Sequence, residues 1–104
     1  KKGNSNNSYI YEIKLKYINK KYNLNIKEVN IIELDLCNKN LHDEILKDLS
    51  KIEFKELKKI YLSKNELWNI NEFEKFRLNK LENIDLSYNN IIDINIFGKY
   101  ISKN

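Results

Sequence analysis

Residues 81–91 read LENIDLSYNNI, with apolar side chains at 81, 84, 86 and 91 and an asparagine at 89. The same spacing occurs in LKKIYLSKNEL (57–67) and in IIELDLCNKNL (31–41). The copies at 57 and 81 fit L-x-x-L-x-L-x-x-N-x-L in full, with Ile accepted for Leu; the copy at 31 fits its apolar positions but carries Lys39 in the Asn slot. The copies start at Ile31, Leu57 and Leu81. A period of that size marks a repeated supersecondary unit. One such unit cannot bury its apolar positions alone, and stacking on its neighbours does so.

Inside each copy the pairs Leu34/Leu36, Ile60/Leu62 and Ile84/Leu86 alternate with polar residues. Period two is the pattern of a strand with one face buried. Three short parallel strands are therefore expected, spaced by about 4.8 Å. The segments that return the chain look helical. Ile45, Leu46, Leu49 and Ile52 make one apolar face, and Asp43 stands before them as an N-cap candidate. Asn71 followed by Phe73 and Phe76 repeats the pattern, as does Asp93 or Asn95 followed by Phe97 and Ile101. Phe73 and Phe97 stand at the same offset from their repeat starts, which supports the register independently of the leucines.

Upstream, residues 1–8 (KKGNSNNS) are polar and are expected to form a disordered lead. Residues 9–28 admit two readings. Tyr9, Tyr11, Ile13, Leu15 and Tyr17 alternate as in a strand. Tyr11, Leu15, Ile18 and Tyr22 recur as on one helix face, with Ser8 available as N-cap and Lys20–Lys21 suited to a helix C-terminus. Helix is the preferred reading, because the open end of a first repeat needs a cover. The chain thus divides into a lead (1–8), a capping segment (9–28) and a repeat region (29–104). A further repeat or cap is expected beyond Asn104.

Lys, Asn and Ile supply about half of the residues, and Arg77 is the only arginine. This bias points to AT-rich codon usage and lowers the information carried by any one lysine. The formal charge of +4 is uneven. Residues 1–30 hold seven lysines against Glu12 and Glu28, a net of +5; residues 31–104 hold twelve basic against thirteen acidic residues, a net of −1. The lysines and tyrosines of the first segment form a candidate patch for nucleic acid or an acidic partner; a solvated cap face is the plainer reading. Cys37 is the only cysteine, so no intrachain disulfide can form. A reducing, intracellular setting follows as the expectation. No apolar run approaches the ~18 residues of a membrane span.

The repeat region resembles the leucine-rich repeat family. The resemblance implies an α/β solenoid with a short parallel sheet on the concave side and helices on the convex side. It also implies that Asn65 and Asn89 bond loop backbone groups as a structural ladder, with Lys39 departing from the pattern in the first copy. The helical lead and the lack of a cysteine-rich cap are similar to intracellular members of the family. Those include a spliceosomal A-prime-like protein, nuclear phosphoproteins and regulators of larger phosphatase or motor complexes. The family binds proteins on its concave face. In this chain that face comprises Glu33 and Asp35, Lys59, Tyr61 and Lys64, and Asn83, Asp85 and Tyr88. The expected function is a non-catalytic scaffold with a protein partner. A ribonucleoprotein or nuclear component, reaching nucleic acid indirectly, is the alternative, as is a regulatory region of a larger enzyme. No cofactor, small-molecule substrate or membrane is implied.

Trp68 occupies the slot held by His42 and Ile92 in the other copies; partial burial on the convex side between repeats is expected, with a second binding anchor at the rim as the alternative. Cys37, His42 and Asp43 include the chain's single Cys and single His. With Cys37 on a strand and His42 beyond the turn they point apart, so neither nucleophilic catalysis nor a metal site is expected.

Overall fold

The three apolar L-x-L pairs set the sheet. In the computed structural model, which describes residues 2–76 and 78–92, they give β1 (Glu33–Asp35), β2 (Lys59–Tyr61) and β3 (Asn83–Asp85). The strands lie parallel in the order β1-β2-β3, as an open sheet. Leu34 pairs with Ile60 and Ile60 with Ile84, so equivalent motif positions are in register. Leu34, Leu36, Ile60 and Leu62 are buried, while Ile84 and Leu86 pack against the core from partly buried positions. Each fully buried side chain contributes roughly 1.5–3 kcal/mol. The ladder continues beyond the strands through Leu36 N–H to Tyr61 O (2.8 Å), Asn38 N–H to Ser63 O (3.0 Å) and their counterparts from Leu62 and Lys64.

Parallel strands need crossovers, and two different structures supply them here. The first is α2 (Glu44–Leu49), which buries Ile45, Leu46 and Leu49. Six residues are too few for a helix stable on its own, so packing holds it. Ile52 and Phe54 extend the buried row past its end. The second, expected as a similar helix, is a 3-10 helix over Asn71–Lys75. The buried ring of Phe73 within it packs against that of Phe76, just past its end, with centroids 4.7 Å apart and the planes tilted by 32°. The third return segment, with Asp93, Asn95, Phe97 and Ile101, lies outside the described residues.

The capping segment is the helix α1 (Lys2–Tyr22). The strand reading of residues 9–28 is thereby set aside. The helix starts ahead of Ser8 and takes in the backbone of residues assigned above to a disordered lead. Once a helix is nucleated, each added residue gains a backbone hydrogen bond at little further cost, and this carries it into polar sequence. Leu15 and Ile18 are buried, with Tyr11 and Tyr22 packed beside them, so the period-3.6 face meets the core. Asn23 ends the helix in a left-handed conformation (φ 57°). Asn19 secures the exit, because its side chain accepts from Ile26 N–H (2.8 Å) and donates to Ile26 O (3.0 Å).

A polar clip ties α1 to α2. Lys21 donates to Glu44 (2.6 Å) and Asp48 (2.9 Å), and the Tyr22 hydroxyl donates to Asp48. Burial pushes the Asp48 carboxyl up, but Tyr22 and Lys21 together outweigh it and hold the group below the usual carboxylate range. Glu44 and Asp48 in turn raise the Lys21 ammonium above its ordinary value.

Candidate functional site

Strand alternation sends one residue of each pair inward and its neighbours outward. Glu33 and Asp35 of β1, Lys59 and Tyr61 of β2, and Asn83 and Asp85 of β3 flank the inward Leu34, Ile60 and Ile84. The register sets them in two cross-strand rows, Glu33–Lys59–Asn83 and Asp35–Tyr61–Asp85. In the first row Lys59 Nζ lies 3.8 Å from Glu33 Oε2. An exposed pair at that distance adds little stability. In the second row Tyr61 stands on the strand between Asp35 and Asp85, with neighbouring backbones roughly 4.8 Å apart.

Both carboxylates are held locally. Asp35 Oδ1 accepts from Cys37 N–H (3.1 Å), and Asp85 Oδ1 accepts from Ser87 N–H (3.0 Å) and from the Ser87 hydroxyl (2.8 Å). The Ser87 backbone bond, followed by its hydroxyl, holds the Asp85 carboxyl below the usual carboxylate range. Asp85 is thus an anion at neutral pH with its orientation preset. Cys37 is not poised as a nucleophile by a histidine: its sulfur accepts from the Ser63 hydroxyl (3.1 Å), whereas His42 meets Glu66 (3.1 Å).

A further row lies just past the strands. Asn38, Lys64 and Tyr88 occupy the same motif slot, and all three have left-handed backbone (φ 54°, 58° and 56°). Asparagine tolerates this region, whereas lysine and tyrosine occupy it at a cost. Tyr88 is 77% exposed, and Lys64 Nζ lies 5.9 Å from its ring centroid. Tyr61, Lys64, Asp85 and Tyr88 are therefore placed on neighbouring strands or the loops that leave them.

Below this row the asparagines organise the turns. Asn65 Oδ1 accepts from Lys39 N–H (3.0 Å) and Leu41 N–H (2.9 Å), and its Nδ2 donates to Leu36 O and Leu62 O (2.9 Å each) and Ser63 O (3.3 Å). Asn89 accepts from Leu67 N–H (3.0 Å) and donates to Leu62 O (2.9 Å), Leu86 O (3.0 Å) and Ser87 O (3.2 Å). Each asparagine therefore binds its own turn and the turn before it. Lys39 is exposed, and what it gives the network is its backbone N–H.

One polar contact between copies was not evident in the sequence. Asp43 stands at the N-cap of α2, but its carboxylate makes no cap bond. It reaches the next copy instead, accepting from Trp68 N–H (2.7 Å) and Asn69 N–H (3.0 Å). A signal existed, since the same slot holds Asp43, Asn69 and Asp93 in the three copies. Trp68, expected to pack partly buried between copies, is 55% exposed.

Among the described residues no group of three or more His, Cys, Asp or Glu side chains is placed to hold a metal ion. None of their helices is long and apolar enough to cross a membrane. No model of a known protein family matches the chain, and neither curated proteins nor solved structures yield a match.

Proposed function

We propose that this chain is a protein-interaction module built as a leucine-rich repeat solenoid, with no catalytic role of its own. A protein partner docks on the outward face of the sheet, which in a solenoid is the concave side. The observation that carries the reading is the row Asp35–Tyr61–Asp85 in strand register, with the exposed Tyr88 beside it. Tyrosines offer a large contact area with a polar tip, and hot spots are enriched in them. The flanking carboxylates suit a partner that presents Lys or Arg between or beside the rings. An intracellular setting belongs to the same proposal, supported by the single free cysteine.

The repeated motif, the in-register pairing of its equivalent positions and the asparagine bonds from one turn to the one before support the solenoid reading.

The test is affinity capture from the source lysate, with and without RNase, using wild type beside Tyr61→Ala/Tyr88→Ala. The expected result is a discrete protein that survives RNase and is lost from the variant. Removing a hot-spot tyrosine weakens binding by about 2 kcal/mol, roughly thirtyfold. Matched melting curves of the two baits exclude misfolding as the cause. A catch that is RNase-sensitive and indifferent to the tyrosines overturns this reading in favour of a ribonucleoprotein component.

A further inference from the structure

The helix α1 carries two apolar stripes and uses one of them. Leu15 and Ile18 are buried in the core. On the opposite side Tyr9 is 69%, Ile10 44%, Ile13 50% and Tyr17 58% exposed. Half of the large apolar side chains exposed among the described residues therefore lie on this one helix face. Ile10, Ile13 and Tyr17 fall at i, i+3 and i+7, the narrow seam by which one helix packs along another.

The charge around the seam has one sign. From Tyr9 to Tyr22, the charged residues of α1 are Lys14, Lys16, Lys20 and Lys21 against Glu12 alone. Two of these lysines are already engaged, Lys21 by Glu44 and Asp48 and Lys14 by Lys51 O (3.4 Å). Lys16, beside the seam, and Lys20, which follows Tyr17 at its next position, have no hydrogen-bond or ion-pair partner among the described residues.

We propose that the outward face of α1 is a second docking surface, one that receives an acidic amphipathic helix from a partner protein. The incoming helix packs its apolar residues on Ile10, Ile13 and Tyr17 and sets its carboxylates against Lys16 and Lys20. The chemistry selects this occupant over others. A second copy of α1 would bring lysines against lysines at the flanking positions, where like charges destabilise a helix pair. A bilayer favours a face richer in Trp, Phe and Leu than one made of two isoleucines and two tyrosines. A nucleic acid gains nothing from the two isoleucines at the centre, and α1 has no arginine.

The surface is tested on the full chain with a labelled synthetic helix of about three heptads, carrying Leu at the seam and Glu at the flanking positions. Fluorescence anisotropy is expected to show saturable binding that Ile13→Asp abolishes. Lys16→Glu/Lys20→Glu should weaken the Glu peptide by roughly tenfold or more and improve binding of a matching peptide with Lys at those positions. All three substituted side chains are exposed, so unchanged helix content and melting show that α1 is intact. Tyr61→Ala/Tyr88→Ala should leave peptide binding untouched, which separates this surface from the sheet face. The proposal is overturned if the Glu peptide does not bind or binds the variants equally. It is also overturned if the charge swap fails to rescue, or if phosphatidylserine vesicles or a short single-stranded RNA are captured while the peptide is not.

Discussion

The turn after β1 and the turn after β2 have nearly the same backbone but different authors. In the first, Asn38 takes the left-handed conformation and the residue after it is Lys39; in the second, Lys64 takes it and Asn65 follows. Despite the missing asparagine the first turn is well bonded, because Asn65 reaches back and accepts from Lys39 N–H and Leu41 N–H. The second turn is served in the same way by Asn89, through Leu67 N–H. An asparagine in one copy thus completes the turn before it. The first copy has no earlier turn in the repeat region to complete, and its slot can hold lysine.

The strongest way to break this comparison is to remove the shared asparagine. Asn65 is only 6% exposed and makes five hydrogen bonds. Asn65→Ala leaves several buried backbone groups unpaired, and we expect a loss of about 3 kcal/mol in urea melts. Asn89 makes four bonds from a partly buried position, so Asn89→Ala should cost about 2 kcal/mol. Lys39→Ala should stay within about 0.5 kcal/mol of wild type, since the backbone N–H survives the substitution. Equal losses at 39 and 65 would sink the idea that the bonds run backward along the chain.

A middle-sized effect separates the left-handed residues themselves. Asn38 fits its conformation, whereas Tyr88 at the same slot does not. Tyr88→Asn should stabilise the chain by up to about 1 kcal/mol, because the short polar side chain of asparagine bonds locally and tolerates the left-handed region better than tyrosine does. The same change should reduce capture of the sheet-face partner. A variant that gains stability and keeps its partner would remove Tyr88 from the proposed site.

Much of this architecture was readable because periodicity is local. The L-x-L pairs place Leu34, Ile60 and Ile84 in register, and the spacing of Tyr11, Leu15, Ile18 and Tyr22 marks the buried face of α1. What was not readable depends on distance in space. Asp43 looks like a helix cap in sequence because caps are short-range, yet its partners lie at Trp68 and Asn69. The clip of Lys21 and Tyr22 on Asp48 joins segments whose approach only the packed core decides. The 3-10 form of Asn71–Lys75 escaped because Phe73 and Phe76, three apart, suit either helix type. The row Asp35–Tyr61–Asp85 falls between these cases. Its members follow from strand alternation, but their fixed orientation comes from Cys37 and Ser87, which hydrophobic spacing does not reveal.

The smallest effect concerns those last two residues, which occupy one motif slot. Cys37 offers Asp35 its backbone N–H, whereas Ser87 offers Asp85 both N–H and hydroxyl. Ser87→Cys gives the third copy the arrangement of the first. The backbone bond remains and the hydroxyl bond is lost, so the Asp85 titration should move up towards the ordinary carboxyl value without reaching it. The sign of the stability effect follows. A carboxyl lowered by folding stabilises fully above its unfolded value and loses that contribution as pH falls through the folded value. In Ser87→Cys the folded value is higher, so the total contribution is smaller; its loss still begins at the unfolded value but is complete at a higher pH. Carboxyl-carbon NMR titration measures the shift directly. An unmoved midpoint would mean that the backbone N–H alone orients Asp85, and that the first and third copies hold their acids in the same way.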